Sequence, residues 1–150
     1  MLFAAFPAKA RKLNHSLYFK VGGHADEACL IGIGTKLRRI YKICPASAWR
    51  EAERQGTFRG NPDDLRDGFI HFSDASQVEA TARKHFFGQA GLFLIAVDAD
   101  ALGDGLKWER SRNDELFPHL YGELDLGAVV AVLSMHARPD GFHDIPELEP

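Results

Sequence analysis

Several features that would place this chain in a specialised class are scarce or missing. Its 150 residues include two cysteines, Cys29 and Cys44. Two thiols do not make a disulfide framework, so we expect them reduced in a cytoplasmic protein. No apolar run approaches the roughly 18 residues that a membrane helix needs. Met1–Pro7 is apolar but short, and basic residues follow it instead of preceding it, which is not the order of a secretory signal. We therefore expect neither membrane association nor export.

An excess of positive charge is also lacking. The net charge is −3, and because the first 40 residues carry a balance of +5, residues 41–150 carry −8. Such an acidic domain lacks the basic face that RNA or DNA binding requires, so we expect no nucleic-acid partner. What the chain does have is 45% hydrophobic residues. That content suits one ordinary globular domain with its own core.

The chain divides into three parts. Residues 1–36 show no sustained period and contain closely spaced glycines, so they are predicted to be a poorly ordered N-terminal extension. A short strand around Ala28–Ile33 is an alternative, and so is a start codon assigned too far upstream. Residues 37–143 are expected to form a single domain. Residues 144–150, rich in proline and glutamate, are expected to be a C-terminal tail.

Hydrophobic periodicity predicts two helices. The first covers Ala46–Gln55, with Trp49 anchoring a narrow apolar stripe and Gly56 as the C-terminal cap. The second starts at Asp74, which forms a capping box with Gln77, and continues to Gly88.

The remaining pattern predicts strands joined by loops. The expected strands are Arg39–Ile43, Asp67–Ser73, Leu92–Val97, Leu106–Glu109 and Ala128–Met135, with a last short pairing at Gly141–His143. Leu92–Val97 is continuously apolar, so it is expected at the centre of the sheet. Residues 60–68, 110–115 and 117–122 are interpreted as loops. The fold class is therefore α+β, with two helices on one curved, largely antiparallel sheet.

Histidine 71 is the first candidate site residue. In an alternating strand, Ile70 and Phe72 point to one face, while His71 and Ser73 point to the other. The position is a strand-to-helix junction, where a helix N-terminus can receive an anionic group. A core histidine bonded to the backbone is an equally good interpretation.

The other candidates follow later in the chain. His119 comes directly after Pro118 in an aromatic segment, and a functional role is favoured over a structural one. Trp108 and Glu109 lie on opposite faces of a strand. Either Trp108 is core and Glu109 is exposed, or Trp108 lines a cleft and stacks a base; the sequence leaves both open. The spacing of His71, Glu109 and His119 lacks the close pairs of a strong metal motif, so no metal is predicted.

Taken together, these segments resemble the domain-of-unknown-function 952 (DUF952) family of bacteria and plants. The resemblance is carried by Ile40–Ile43, Trp49, Ala52, Gly56, Asp67–Ser73, Gln77, Trp108, Glu109 and Phe117–Gly122. It runs from about Ile40 to Phe142. The family has no settled activity, and it is similar in fold to ADP-ribosyltransferase-like proteins, which have a split sheet and a cleft for nicotinamide dinucleotide.

The resemblance also implies roles for individual residues. His71, Ser73 and His119 would be polar cleft residues, Tyr121 would be an aromatic wall, and NAD becomes a candidate cofactor. Lys42 stands where many members have histidine, although a lysine can still hold a phosphate.

Two functions are expected from this reading. The first is an enzyme that binds a nucleotide such as NAD and transfers ADP-ribose. Positive charge then develops on the ribose, so Glu109 would join His71 and His119 as a catalytic group. Lys42 and Ser73 would bind substrate, with Trp108 or Tyr121 stacking the base. The second is a non-catalytic module that binds a small anionic metabolite or a protein partner.

Overall fold

The computed structural model describes residues 37–150. The poorly ordered extension predicted for residues 1–36, and the alternative strand around Ala28–Ile33, lie outside the described residues. The strands are β1 (Arg39–Pro45), β2 (Thr57–Phe58), β3 (Ile70–His71), β4 (Leu92–Asp98), β5 (Leu106–Arg110), β6 (Leu116–Leu120), β7 (Leu124–Asp125), β8 (Val129–Ala137) and β9 (His143–Asp144). The α-helices are α1 (Ala46–Gln55), α2 (Pro62–Asp67) and α3 (Val78–His85), and short 3-10 turns cover Ala99–Gly105, Arg112–Asp114 and Leu126–Ala128.

The strands form a curled antiparallel sheet. One part has the order β1-β4-β8-β9, and a second part has the order β3-β6-β5. Between them, the backbone of Tyr41 in β1 exchanges two hydrogen bonds of 2.8 and 2.9 Å with Ser73, just after β3. The two parts therefore continue into one half-barrel, while β2 and β7 pair separately. The α+β class and the curved, largely antiparallel sheet are confirmed.

Strand β4 is the centre of the larger sheet, as its apolar run predicted. It pairs with β1 on one side and β8 on the other. On one face, Ile95 packs with Trp49 in one buried cluster. On the other face, Leu94 packs with Val78 of α3 in a second cluster. Both faces of β4 are covered, so a polar side chain on either face would lose its contact with water at a cost in free energy. This explains why the strand is apolar throughout instead of alternating.

The two predicted helices are present, with one shift. Helix α1 has the predicted bounds, buries Trp49, and ends at Gly56, whose φ of 82° lies in the left-handed region that glycine tolerates. Helix α3 starts only at Val78. The residues before it form a turn in which the backbone N–H of Asp74 donates to Gln77 Oε1 and that of Gln77 donates to Asp74 Oδ1, at 3.1 and 3.0 Å. The reciprocal hydrogen bonds predicted between Asp74 and Gln77 are therefore present, but they lie in the turn before the helix.

Two segments interpreted as loops are regular structure. The turn-rich stretch contains helix α2, which ends at Gly68 with φ 85°. As a result the strand predicted from Asp67 shrinks to Ile70–His71. The segment 117–122 is largely β6, a strand between β3 and β5, and Pro118 takes part by accepting a backbone hydrogen bond from Phe72 at 2.9 Å. Its missing N–H therefore did not exclude it from a strand.

The last residues contact the core. Tyr41 Oη donates to the backbone carbonyl of Glu149 at 2.6 Å, and Ile145 and Leu148 pack against the cluster around Leu94. Within the part of the chain that the structure describes, no helix is long and apolar enough to cross a membrane.

Candidate functional site

A cavity of about 270 Å³ lies among β1, α2, the end of β3, and α3. Four of the seven predicted site residues line it, namely Lys42, His71, Ser73 and His119. The other three, Trp108, Glu109 and Tyr121, lie outside its lining.

The two histidines are brought together by strand pairing. His71 of β3 lies directly opposite His119 of β6 in the antiparallel register. Side chains at directly paired positions project to the same face of a sheet. The two imidazole ring centroids are accordingly 5.4 Å apart, with an interplanar angle of 74°. The predicted convergence of these residues thus arises from a single cross-strand pair.

Asp64 is a buried carboxylate at the centre of the cavity's hydrogen bonds. It accepts from Lys42 Nζ at 2.6 Å, from His71 Nδ1 at 2.7 Å, from the backbone N–H of His71 at 3.0 Å, and from that of Asn61 at 2.7 Å. Burial alone would raise the pKa of Asp64, but the hydrogen bonds from His71 and the charge of Lys42 outweigh it and lower the pKa to about 2. The carboxylate is therefore ionised, and the Nδ1 atom of His71 carries the proton.

Sequence reasoning missed Asp64, although a signal for it exists. Asn61, Pro62 and Asp64 stand at the N-cap, N1 and N3 positions of α2, a pattern typical of a helix start. If this pattern had been interpreted as a helix start, Asp64 would have been expected in the first turn of a helix that leads into the strand carrying His71.

Lys42, which was expected to bind substrate, lines the cavity, but its ammonium is already paired with Asp64. Its ammonium contacts both carboxylate oxygens of Asp64, at 2.6 and 2.9 Å, and both side chains are almost completely buried. Burial lowers the pKa of Lys42, and the attraction of Asp64 opposes that shift. Lys42 therefore neutralises the carboxylate that holds His71.

His119 has a carboxylate partner of its own. Its Nδ1 atom lies 2.8 Å from Glu109 Oε2, and Tyr121 Oη donates to the same carboxylate at 2.9 Å. The hydrogen bonds from His119 and Tyr121 lower the pKa of Glu109. Phe69 stacks on the His119 ring at 4.2 Å. Glu109 and Tyr121 thus lie outside the lining of the cavity, and His119 is the side chain that connects them to it.

Trp108 is half-buried. It packs against the cluster that contains Trp49, and the Arg38 guanidinium lies 4.0 Å from its ring centroid. Trp108 also lies outside the lining of the cavity, which favours the core alternative over base stacking. Glu109 points to the opposite face of β5 from Trp108, where it pairs with His119.

Ser73 supports the wall made by α3. Its hydroxyl lies 3.1 Å from that of Thr81, and Thr81 accepts a hydrogen bond from Arg112 at 3.3 Å. Thr81, Lys84 and Arg112 line the same space, and no pattern in the sequence indicates this. Arg112 lies 31 residues from Thr81 in the chain, so only the fold brings them together.

Neither a metal-ligand cluster nor an ionised thiol is present among residues 37–150. Among residues 37–150, no group of three or more His, Cys, Asp or Glu side chains is arranged to hold a metal ion. Cys44 is buried, and burial raises the pKa of its thiol to about 12, so it stays protonated and unreactive.

Comparison with known proteins identifies relatives of the same overall structure. The crystal structure of protein CC0527 from Caulobacter crescentus is 45% identical, covers 71% of this chain and 93% of its own, and has a TM-score of 0.69. The solution NMR structure of the same protein is 46% identical, covers 70% and 90%, and has a TM-score of 0.64. No curated protein gives a significant match. The family described as "Protein of unknown function (DUF952)" matches residues 43–132, which span both histidines. The chain belongs to the DUF952 family.

Proposed function

We propose that the cavity binds a phosphate-bearing ligand of the nucleotide class, with NAD as the leading candidate, and that His71 and His119 transfer protons there in an ADP-ribosyltransferase-like reaction. One observation carries the proposal. Two imidazoles line one cavity, and each has its Nδ1 atom held by a carboxylate, Asp64 at 2.7 Å and Glu109 at 2.8 Å. A carboxylate at Nδ1 fixes the tautomer and orientation of each ring and leaves Nε2 for another partner, which at His71 is Asp67 until a ligand displaces it.

The surroundings of His71 suit proton donation. Its Nε2 atom lies 3.2 Å from Asp67 Oδ2, so a doubly protonated ring donates to both Asp64 and Asp67. A ligand atom that displaces Asp67 can then take the Nε2 proton, while the Nδ1 proton stays on the ring in its hydrogen bond to Asp64. Positioned acids of this kind contribute about 10²–10⁴-fold to a rate.

A carboxylate is also needed where charge develops on the ribose when the nicotinamide bond breaks. Asp67 lines the cavity, whereas Glu109 does not, so Asp67, once a ligand has displaced it from His71 Nε2, takes the charge-stabilising role first expected of Glu109. The curled antiparallel sheet with a cleft at its junction supports the ADP-ribosyltransferase-like interpretation of the fold. The volume of about 270 Å³ lies just below the range of roughly 300–1,000 Å³ typical of ligand pockets, so the cavity would hold the reacting part of the dinucleotide.

Calorimetry and product analysis test this proposal. NAD and ADP-ribose are titrated into the wild type and into His71→Ala and His119→Ala, and nicotinamide release from NAD is followed by chromatography. We expect binding to the wild type, and loss of release in both variants. His136→Ala, at an exposed position of β8, is the matched control and should behave as wild type. Absence of heat with both ligands would contradict the proposal.

A non-catalytic binding module is the second candidate. The observation that favours it is the closed Lys42–Asp64 pair, which leaves Lys42 without a free amine for catalysis. In that case His71→Ala would change the affinity for a small anion, and neither the wild type nor the variant would show turnover. Turnover of any nucleotide that His71→Ala abolishes would rule this candidate out.

A further inference from the structure

We propose that Lys84 and Arg112 form the subsite that receives a phosphate group of the ligand, on the α3 side of the cavity. The inference rests on the proposed function and deepens it, because it assigns the group that anchors the ligand while His71 and His119 face the reacting part.

The charge balance of the cavity wall is the first step. Four cationic side chains other than histidine line the cavity: Lys42, Arg66, Lys84 and Arg112. Lys42 is paired with Asp64, and Arg66 is paired with Asp63 and Asp67. Within residues 37–150, no carboxylate lies within the 4.0 Å of a salt bridge from Lys84 or Arg112. Two positive charges therefore face the cavity without an acidic partner among the described residues.

The position of Arg112 is fixed before any ligand binds. Its Nη2 atom donates to Thr81 Oγ1 at 3.3 Å, and its guanidinium carbon lies 5.1 Å from the centre of the Phe117 ring. Thr81 is in turn held by the buried Ser73 at 3.1 Å. A guanidinium has five N–H donors in a planar fork, and here one of them is used. The free edge suits the paired oxygens of a phosphate, and little side-chain entropy is lost on binding because the group is already placed.

The pKa of His85 is affected by the same local excess of positive charge. Burial lowers its pKa, and the charges of Lys84 and Arg112 lower it further. The side chain also lines the cavity. Three basic groups thus surround one part of the space, with Asp63 as the acidic group that opposes them. A bound phosphate would relieve this repulsion.

Phosphate fits these groups better than a carboxylate does. A phosphate dianion matches two cations of different geometry, since Arg binds two oxygens as a fork and Lys contacts a third as a point charge. The phosphate could belong to a nucleotide or be a free ion, and the experiment separates these sources.

The test is a set of NMR titrations with ¹⁵N-labelled protein. Inorganic phosphate, pyrophosphate, ADP-ribose and adenosine are added separately to the wild type and to Lys84→Gln and Arg112→Gln. We expect pyrophosphate and ADP-ribose to shift the amide signals of residues around α3 and Arg112 in the wild type. Their affinity should fall at least tenfold in either variant. Adenosine, which has no phosphate, should bind the wild type no more strongly than it binds the variants. Arg83→Gln is the matched control: it lies next to Lys84 but pairs with Glu79 and does not line the cavity.

Each outcome decides the subsite separately from the reaction. Equal affinity of ADP-ribose for the wild type and both variants would overturn the subsite and leave the proposed function standing. Phosphate or pyrophosphate binding that both variants lose, without any nucleotide binding, would support the subsite and contradict the nucleotide. Failure of every anion to bind the wild type would overturn the subsite. The circular dichroism spectrum of each variant confirms that it is folded.

Discussion

At the scale of single residues, Asp64 is the site residue that accepts the most hydrogen bonds. Its carboxylate accepts four hydrogen bonds and stands 1% exposed next to the ammonium of Lys42. A buried ion pair adds little over an apolar pair, but breaking it by removing one partner leaves an uncompensated charge.

We therefore expect Asp64→Asn to lower the free energy of unfolding by about 3–5 kcal/mol, the range for a buried pair that loses one partner. Urea unfolding at neutral pH measures it. The matched control is Asp63→Asn, whose partner Arg66 is exposed, so its loss should stay below about 1 kcal/mol. Equal losses in the two variants would show that burial of the Lys42–Asp64 pair is not what matters.

Glu109 is a positioning residue for His119, and its effect should appear in the tautomer of the ring. The carboxylate lies 2.8 Å from His119 Nδ1. We expect the wild-type imidazole to carry its proton on Nδ1 and Glu109→Ala to show a mixture of tautomers, measured by ¹⁵N NMR of the ring nitrogens. Glu115→Ala, an exposed glutamate in the preceding loop, is the control. An unchanged Nδ1 tautomer in Glu109→Ala would contradict the role.

At the scale of elements, helix α2 carries Asp64 and Asp67 into the site, and Gly68 ends it. The residue has a φ of 85°, its N–H donates to the carbonyl of Asp64 at 2.8 Å, and a Cβ there would meet no atom within 4 Å. Any cost of Gly68→Ala therefore comes from backbone conformation alone. We expect about 1 kcal/mol less stability in urea.

Gly68→Asn separates this cause from others, because asparagine tolerates the left-handed region better than alanine. It should recover part of the lost stability although it is larger. If alanine were tolerated better than asparagine, the left-handed turn would not be the reason for glycine at the end of α2.

The elements that the sequence predicted are those whose signals are local. Each of these signals lies within ten residues of sequence: the apolar run of β4, the apolar stripe of α1 around Trp49, and the alternation around His71. Helix α2 was missed because Asn, Pro and Asp begin turns as readily as they begin helices. Pro118 led β6 to be interpreted as a loop, since a strand between two neighbours rarely contains proline.

The site was predictable only in part for the same reason. His71 and His119 were each identified from their neighbours, but the cross-strand pair that joins them comes from a register between residues 48 positions apart in the sequence. The contacts of Lys42 with Asp64 and of Arg112 with Thr81 are also non-local. Alternation placed Trp108 and Glu109 on opposite faces, yet it could not say which face was buried; the position of the core decides that.

At the scale of the whole molecule, Asp64 couples the site to stability. Strand β4 has a buried cluster on each face, and β1 carries Lys42 next to it, so the ion pair lies against the centre of the fold. Charging or discharging Asp64 should therefore affect global unfolding rather than a local opening.

Acid unfolding measures this coupling. The pKa of Asp64 falls from 3.8 to about 2 in the folded protein. Because the folded value is the lower one, the stabilisation is present above about pH 4 and is lost as the pH falls towards 2. At 1.36 kcal/mol per pKa unit the loss is about 2 kcal/mol. Urea unfolding at pH 5 and at pH 2.5 should show most of this fall in the wild type, and a smaller fall in Asp64→Asn, where the group that titrates is gone. Parallel falls in the two proteins would assign the acid sensitivity to other carboxylates.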